Sequence, residues 1–404
     1  MSDKFNLDRL IRPNLARLKP YTPILPFEVL SQQLGRRPDE IIKLDANENP
    51  YGPSPRVAAA LAEAPYLHIY PDPESRELRA ALADYTGLAA DYLLVGLGAD
   101  ELIDLIMRLV IVPGDTIVNC PPTFGMYAFD ADINGAEVIN VWRRPDFAVD
   151  IEGIEAVFTP PYPPLKGGEK EEPLEGRGQP QKSPSLPGSE QGEGHSHPKL
   201  IFVTSPNNPD GSLLGDDELK RLLALPAIVV LDEAYIEFAG ASAGVGSRIE
   251  WVRDYPNLVV LRTFSKWAGL AGLRLGYGAF PLDIIAHLWK IKQPYNVPVT
   301  GQIAGLVSLS DRERLLGRVA QLVAQREQFY QVLAGITWLQ AYPSQANFIL
   351  CRVLGRSAVE VKAQLAAHGI LVRYYNSPGL ADCLRFSIGT PAQMDRLAEV
   401  LKLL

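Results

Sequence analysis

Short apolar runs that alternate with amphipathic stretches are the feature that most constrains the fold of this chain. The segment from Tyr92 to Asp115 has the pattern of a strand, a glycine turn and a helix, and residues 116–141 repeat strand, loop, helix and strand. The later runs LIFV, IVVL and LVVL are further candidate strands. Strands that alternate with helices are typical of a mostly parallel sheet covered by helices. We therefore expect an α/β fold.

The pattern changes after Pro298, where a long helical stretch is followed by short strands and helices. This change predicts a small α+β domain over residues 298–404, next to a large domain over residues 49–297. The chain has 404 residues, which is enough for two domains. Residues 1–48 are rich in Pro, Leu and Arg, and we predict that they form an arm that lies on another surface.

A low-complexity insertion interrupts the predicted large domain at residues 160–198. Pro, Gly, Glu, Lys, Ser and Gln dominate it, so it offers too little apolar surface to offset the entropy of ordering. We therefore predict that the insertion is disordered. His195 and His197 lie within it, but two histidines alone do not predict a metal site, and we expect no bound metal.

Charge and cysteine content argue against several kinds of partner. The net charge of −8 disfavours nucleic acid and anionic membranes, so an anionic small molecule would need local arginines to bind. Cys120, Cys351 and Cys383 are far apart, odd in number and without a C-x-x-C spacing, as expected for buried, reduced thiols. The chain shows no apolar signal segment and no run of 18 apolar residues. We expect a soluble, cytoplasmic protein.

Chemically distinctive residues follow four of the predicted strands. The turn GLGADE follows YLLV and begins a helix, while Asn208, Asp232 and Lys266 follow or end the next three apolar runs. Ligands of open α/β sheets bind at the carboxyl ends of the strands, and a glycine turn before a helix binds anions. Each feature alone has an ordinary explanation, such as a helix cap for Asp232 or a surface position for Lys266. Their occurrence together, in this order, favours a binding site.

Pyridoxal phosphate is the group that requires these features together. Its aldehyde condenses with a lysine amine, a carboxylate keeps its pyridine nitrogen protonated, and its phosphate needs N–H groups, hydroxyls and an arginine. Lys266 lies in the apolar, glycine-rich stretch RTFSKWAGLAGLRLGYG, close to Arg274. Such surroundings lower the pKa of an amine and keep it nucleophilic. We therefore predict a pyridoxal-phosphate enzyme in which Lys266 also carries a proton to and from the substrate.

The chain resembles the fold-type I, class II pyridoxal-phosphate aminotransferases over nearly its whole length outside residues 160–198. The motifs that carry the resemblance are LDANENPYGPSP, YPDP, GADELID, PPTFGMY, FVTSPNNPDG, VVLDEAYIEF, RTFSKWAGLAGLRLGYG and CLRFSIGT. The resemblance implies a large domain with a mostly parallel sheet, a smaller α+β domain and pyridoxal 5'-phosphate as cofactor. It also implies a homodimer that acts on an amino acid and on a phosphorylated amine or keto compound.

The resemblance further implies roles for individual residues. Lys266 matches the catalytic lysine, and Asp232 matches the partner of the pyridinium nitrogen. The other implied cofactor contacts are the backbone of Ala99 and Asp100 with Thr263, Ser265 and Arg274 at the phosphate, Asn208 and Tyr235 at the phenolic oxygen, Phe124 stacked on the ring, and Tyr70 reaching the phosphate of the neighbouring subunit. The implied substrate contacts are Arg385 at the amino-acid carboxylate, Arg373 at the distal anionic end, and Tyr21.

Within the family, the resemblance favours the members that convert imidazole-acetol phosphate and glutamate to histidinol phosphate and 2-oxoglutarate in histidine biosynthesis. An aromatic-amino-acid aminotransferase and a phosphothreonine-type decarboxylase share the motifs and stay open as alternatives, because pocket shape distinguishes them. Ile24 and Leu25 depart from the Gly-Lys pair that many relatives carry there. A transcription regulator with an aminotransferase-like domain is not expected, because residues 1–45 are short, Pro-rich and not notably basic.

Overall fold

The computed structural model describes residue 7 and residues 10–20, 26–159, 197–239 and 246–404. The predicted disordered insertion at 160–198 therefore lies outside the described residues, apart from its last two positions. Tyr21, Ile24 and Leu25 also lie outside them.

The described residues form strands and helices in an alternating order, as the sequence predicts. The strands are β1 (Ile42–Leu44), β2 (Leu93–Gly96), β3 (Thr116–Asn119), β4 (Glu137–Asn140), β5 (Leu200–Thr204), β6 (Ile228–Asp232), β7 (Leu258–Thr263), β8 (Gly276–Ala279), β9 (Leu339–Ala341), β10 (Phe348–Val353), β11 (Ile370–Tyr374) and β12 (Cys383–Ser387). The α-helices are α1 (Pro13–Arg17), α2 (Phe27–Leu34), α3 (Pro55–Ala62), α4 (Arg76–Thr86), α5 (Gly98–Val110), α6 (Met126–Asn134), α7 (Ile151–Val157), α8 (Asp216–Leu223), α9 (Leu282–Ile291), α10 (Val299–Ser310), α11 (Arg312–Ala334), α12 (Ala358–Ala367) and α13 (Pro391–Leu403).

The larger sheet contains seven strands of the described chain, in the order β2-β8-β7-β6-β5-β3-β4. Its strands pair in parallel, except that β8 runs antiparallel to β2 and β7. All residues of β5 and β7 are buried, which explains why their first four residues, LIFV and LVVL, are apolar without polar alternation. The mostly parallel sheet confirms the predicted α/β fold.

The smaller sheet has the order β1-β11-β12-β10-β9 in the part of the chain that the structure describes. β1 pairs in parallel with β11, and the other pairs are antiparallel. β1 belongs to residues 1–48, so the end of the predicted arm is a strand of this second sheet. A three-residue strand is too short to show a period in the sequence. The domain bounds at residues 48 and 297 stay a prediction.

Local signals in the sequence explain where several helices begin and end. The side chain of Ser54 accepts a hydrogen bond from the N–H of Arg56, and Pro55 occupies the first position of α3. α4 ends at Gly87, whose φ of 75° is a left-handed conformation that favours glycine. This glycine therefore explains why α4 stops there.

The three cysteines are buried and unpaired, as the sequence predicts. His197 stacks on Phe158, with ring centroids 5.8 Å apart. Among the described residues no group of three or more His, Cys, Asp or Glu side chains could hold a metal ion. None of the described helices is long and apolar enough to cross a membrane.

A buried ion pair connects β7 to the turn after β6. The Nη2 atom of Arg262 lies 2.6 Å from Oε1 of Glu237, and both side chains are almost completely buried. The guanidinium of Arg262 also lies over the rings of Tyr85 and Tyr277, 5.5 and 5.9 Å from their centroids. The pair therefore fixes the end of β7 against the turn that carries Tyr235.

We predict that Arg262→Met lowers the free energy of unfolding by about 3–5 kcal/mol, because it leaves the carboxylate of Glu237 buried without a partner. Urea unfolding measures this loss. Arg221→Met is the matched control, because Arg221 pairs with Glu155 at 2.6 Å on the surface and such pairs contribute about 1 kcal/mol or less. Equal losses in the two variants would contradict the prediction.

Candidate active site

The carboxyl ends of β5, β6 and β7 and the beginning of α5 surround one cavity, here called the first cavity. Of the residues that the resemblance assigns to the cofactor, ten line it: Ala99, Asp100, Phe124, Asn208, Asp232, Tyr235, Thr263, Ser265, Lys266 and Arg274. This placement follows from the parallel sheet, in which neighbouring strands end at one edge. The individual contacts of these residues with a cofactor stay predictions.

Lys266 lies just beyond β7, between the buried side chains of Ser265 and Trp267. Its Nζ atom lies 3.4 Å from the carbonyl oxygen of Ala46 and 5.8 Å from the ring centroid of Tyr235. Removal from water, followed by the nearby Arg385 guanidinium, lowers the pKa of Lys266 to about 8. The amine therefore loses its proton far more readily than an exposed lysine does, as nucleophilic attack requires.

Asp232 ends β6 and is only 4% exposed. Burial raises the pKa of its carboxyl to about 6, although two donated hydrogen bonds oppose the rise. The Tyr127 hydroxyl donates to Oδ2 at 2.6 Å, and the N–H of Ala234 donates to Oδ1 at 2.9 Å. A cation in the first cavity would offset the cost of burying this carboxylate.

The beginning of α5 is built for close approach to a ligand. Gly98 has a φ of 75°, and a Cβ atom there would lie 2.8 Å from Nη2 of Arg274. A Cβ atom on Gly276 would lie 2.6 Å from the carbonyl carbon of Gly98. A side chain at either position would therefore displace Arg274 or the backbone at the first turn of α5.

The groups around this turn suit a phosphate. The N–H groups of Ala99 and Asp100 belong to the first turn of α5, where the helix supplies no acceptor. The hydroxyl of Thr263 donates to Oγ of Ser265 at 2.9 Å, beside the same cavity. Arg274 adds a positive charge there, although its Nη2 atom also pairs with Oδ2 of Asp100 at 2.7 Å. Arginine, hydroxyls and free N–H groups together form an anion site.

A second cavity of about 420 Å³ adjoins the first, and the two share Phe124, Asn208, Tyr235 and Lys266. Arg373 and Arg385 also line it. These two arginines lie directly opposite each other on β11 and β12. The second cavity therefore carries two guanidinium groups beside the lysine amine, which suits an anionic substrate.

Arg385 is almost completely buried among polar partners. Its Nη1 atom donates to Oδ1 of Asn208 at 2.5 Å, and its Nη2 atom donates to the carbonyl oxygen of Asp45 at 2.7 Å. Its Nε atom is buried without a hydrogen-bond partner in the described chain. Arg373 is half-buried and lies over the ring of Tyr375, 5.5 Å from its centroid. The structure thus holds Arg385 more firmly than Arg373.

One predicted site residue, Tyr70, lies apart from both cavities. Tyr70 is 79% exposed and stacks on Tyr295, with ring centroids 4.7 Å apart. It lines neither the first nor the second cavity. Tyr21 lies outside the described residues. Phe124, by contrast, lines both cavities and meets Tyr127 edge-on at 5.6 Å.

Sequence reasoning missed two residues that hold the site together. Tyr127 lies in the motif PPTFGMY, but its contact with Asp232 spans 105 positions and leaves no local signal. Asn47 lines the second cavity and donates from Nδ2 to the hydroxyl of Tyr235 at 3.1 Å. It lies in LDANENP, where the density of asparagines predicts a loop without indicating which amide faces the site.

Comparison with known sequences reveals close relatives. The model of the family described as aminotransferase class I and II matches residues 39–401. A relative from Arabidopsis thaliana, histidinol-phosphate aminotransferase 1, chloroplastic, is 51% identical over 396 residues, which cover 98% of this chain and 86% of the relative. Histidinol-phosphate aminotransferase from Roseiflexus castenholzii is 48% identical over 401 residues, which cover 97% of each chain.

Among solved structures, the chain is similar to histidinol-phosphate aminotransferase from Sinorhizobium meliloti in complex with pyridoxal-5'-phosphate. The TM-score is 0.79 at 28% sequence identity, and the match covers 97% of this chain and 98% of that chain. The chain belongs to the aminotransferase class I and II family. It is a pyridoxal-phosphate-dependent aminotransferase of fold type I.

The residues of the first cavity fit pyridoxal phosphate. Asp232 is a buried carboxylate with no ion-pair partner among the described residues, and the pyridinium nitrogen of the cofactor would supply a cation. Lys266, just beyond β7, is an amine with a lowered pKa. Gly98 leaves room for a phosphate at the first turn of α5. The carboxylate, the amine and the anion site therefore match the pyridine nitrogen, the aldehyde and the phosphate of the cofactor.

We predict that Tyr127→Phe moves the acid limb of the kcat profile to higher pH by about one to two units, because one hydrogen bond to the Asp232 carboxylate is lost. A donor favours the ionised form, so its loss raises the pKa of Asp232 and leaves the carboxyl protonated over a wider range. Tyr277→Phe is the matched control, because the buried Tyr277 hydroxyl has no hydrogen-bond partner in the described chain. The same acid limb in both variants would show that Tyr127 does not act through Asp232.

Proposed function

We propose that the protein transfers an amino group from glutamate to imidazole-acetol phosphate, with histidinol phosphate and 2-oxoglutarate as products. The observation that carries this proposal is the pair of arginines opposite each other on β11 and β12, in a cavity of about 420 Å³ beside Lys266. Each substrate carries an anionic group near its reacting carbon. In glutamate this group is a carboxylate, and in imidazole-acetol phosphate it is a phosphate ester. The names of the relatives that are 48–51% identical support the same substrate.

Pyridoxal phosphate and the side chains of the protein have different roles in the reaction. When bound, pyridoxal phosphate supplies an electron sink that makes the Cα–H bond of an amino acid labile. Lys266 holds a proton on Nζ and moves it between the substrate carbon and the cofactor side of the site, as its pKa of about 8 allows. Asp232 would hold the pyridine nitrogen through its negative charge, and Asn208 and Tyr235 would hold the phenolic oxygen.

The two arginines orient the substrate. Arg385 is fixed by Asn208 and by the carbonyl of Asp45, so its guanidinium is ordered before a ligand arrives. We assign it the anionic group beside the reacting carbon. Arg373 is half-buried at the outer part of the second cavity, and we assign it the distal anionic end, such as the second carboxylate of glutamate.

We predict that the pyridoxal form of the enzyme reacts rapidly with histidinol phosphate and with glutamate. The measurement is the absorbance of the bound cofactor in single half-reactions with histidinol phosphate, glutamate, phenylalanine, tyrosine or threonine phosphate. We expect at least a tenfold higher kcat/KM for histidinol phosphate than for phenylalanine, a difference of about 1.4 kcal/mol or more. A preference for phenylalanine or tyrosine would instead identify the protein as an aromatic-amino-acid aminotransferase. Release of carbon dioxide from threonine phosphate would identify it as a decarboxylase.

We also infer that the active unit is a homodimer. Tyr70 is 79% exposed, and its neighbours Tyr66, Leu67 and Ile69 are each more than half exposed. A run of exposed apolar side chains of this length is costly in water and is suited to an interface. In the family that the chain resembles, the tyrosine at this position reaches the cofactor phosphate of the other subunit.

The buried, unpaired cysteines support a cytoplasmic location, because a reducing compartment keeps thiols unpaired.

We predict that a Tyr70→Ala subunit and a Lys266→Ala subunit complement each other after subunit exchange. One site of each hybrid then combines an intact Lys266 with the intact Tyr70 of the other subunit, so activity rises above that of either variant alone. Differently tagged subunits, isolated as hybrids, provide the assay. The shared site is wrong if Tyr70→Ala alone is impaired and confirmed hybrids gain no activity.

A further inference from the structure

Asn47 joins the second sheet to the catalytic residues of the first. It is 1% exposed and lies in the loop between β1 and α3, with a φ of 54°. This left-handed conformation is uncommon outside glycine, although asparagine tolerates it better than most residues. Asn347, just before β10, donates from Nδ2 to the carbonyl oxygen of Asn47 at 3.0 Å. The backbone of Asn47 is therefore held from the side of the smaller sheet.

Ser387 on β12 fixes the orientation of the Asn47 side chain. The backbone N–H of Asn47 donates to Oγ of Ser387 at 2.9 Å, and the Ser387 hydroxyl donates to Oδ1 of Asn47 at 2.8 Å. A hydroxyl proton needs an acceptor, which the amide nitrogen cannot provide. The Oδ1 atom of Asn47 therefore faces Ser387, and its Nδ2 atom faces the opposite direction.

The Nδ2 atom of Asn47 meets the hydroxyl of Tyr235 at 3.1 Å. In this hydrogen bond the amide donates and the Tyr235 oxygen accepts, which leaves the hydroxyl proton free to point elsewhere. In the described chain this is the one hydrogen bond of the Tyr235 hydroxyl, and Tyr235 lines both cavities beside Lys266.

Burial keeps the Tyr235 hydroxyl in its protonated form. Burial raises the pKa of its phenol, and the negative charges of Asp232 and Asp100 act in the same direction. The guanidinium of Arg385 and the Asn47 amide act in the opposite direction, but the net result is a rise. Tyr235 is therefore a hydrogen-bond donor at neutral pH.

We propose that Asn47, held by Ser387, is a positioning residue that turns the Tyr235 hydroxyl toward the phenolic oxygen of pyridoxal phosphate. A donated hydrogen bond stabilises negative charge on that oxygen, which makes the cofactor attached to Lys266 easier to deprotonate. Asn47 thereby lowers the pH at which the attached cofactor titrates. The proposal requires bound pyridoxal phosphate but does not depend on which substrate the enzyme uses. It connects the smaller sheet to the protonation of the cofactor.

The direct test is Asn47→Asp, which keeps the size of the side chain and its acceptor for Ser387. The carboxylate offers Tyr235 an acceptor in place of a donor, so the Tyr235 proton turns away from the cofactor. The absorbance of the cofactor in the holoenzyme, titrated with pH without substrate, reports the effect. We expect the midpoint to rise by about one pH unit, the size of one lost hydrogen bond to a charged group.

Three further variants separate orientation from added charge. Tyr235→Phe removes the donor and should raise the midpoint by a similar amount. In the double variant, Asn47→Asp should add little to the shift of the midpoint, because the Tyr235 hydroxyl on which it acts is absent. Asn119→Asp places the same new charge on the second cavity, where the amide of Asn119 donates to Asn140 at 2.9 Å and not to Tyr235. It should shift the midpoint much less than Asn47→Asp does.

Ser387→Ala provides an uncharged test, since it removes the hydroxyl that orients the Asn47 amide. We expect a smaller rise of the midpoint and unchanged pyridoxal phosphate affinity, with a lower thermal unfolding temperature because the N–H and Oδ1 of Asn47 lose their buried partner. The proposal is overturned if Asn47→Asp leaves the midpoint unchanged, or if its shift is equally large in the Tyr235→Phe background. If Asn47→Asp does not fold, an unchanged midpoint in Ser387→Ala overturns it. Failure of histidinol phosphate to react would leave these substrate-free titrations unaffected.

Discussion

The buried carboxylate of Asp232 is the interaction on which the rest of the site depends. Burial at the end of β6 raises the pKa of this group to about 6, so an unaccompanied negative charge there is unfavourable. The hydroxyl of Tyr127 and the N–H of Ala234 oppose that cost with two hydrogen bonds. They favour the ionised carboxylate, which we propose pairs with the pyridinium nitrogen of pyridoxal phosphate.

Neighbouring strands set the distance between this carboxylate and the reactive amine. β6 and β7 pair in parallel, with Asp232 opposite Leu261, so the chain beyond β7 returns Lys266 to the same edge. Burial, with Arg385 and Arg274, lowers the pKa of that lysine, and the first turn of α5 carries the groups that suit a phosphate. The first cavity therefore offers a negative charge at one end and cationic or N–H groups at the other, and the smaller sheet reaches the site through Arg385.

The sequence was most informative where the chemistry is local. Asp232 and Lys266 could be predicted as site residues because each comes after the apolar run of a buried strand. The turn at Gly98 could be predicted because a glycine turn before a helix binds anions. Tyr127 was not predictable, because its partner lies 105 positions away. The contact between Asn47 and Ser387 spans 340 positions, and only the folded chain brings the two sheets together. β1 escaped prediction as a strand because three residues cannot show a period.

The protonation state of the bound cofactor tests the central claim most directly. The enzyme can be reconstituted with pyridoxal phosphate that carries ¹⁵N in its ring, and the chemical shift of that nitrogen distinguishes pyridinium from neutral pyridine. A carboxylate held ionised by Tyr127 and Ala234 predicts a pyridinium signal throughout the neutral and mildly alkaline range, and its loss in Asp232→Asn. A neutral ring nitrogen in the unmodified enzyme would contradict the account.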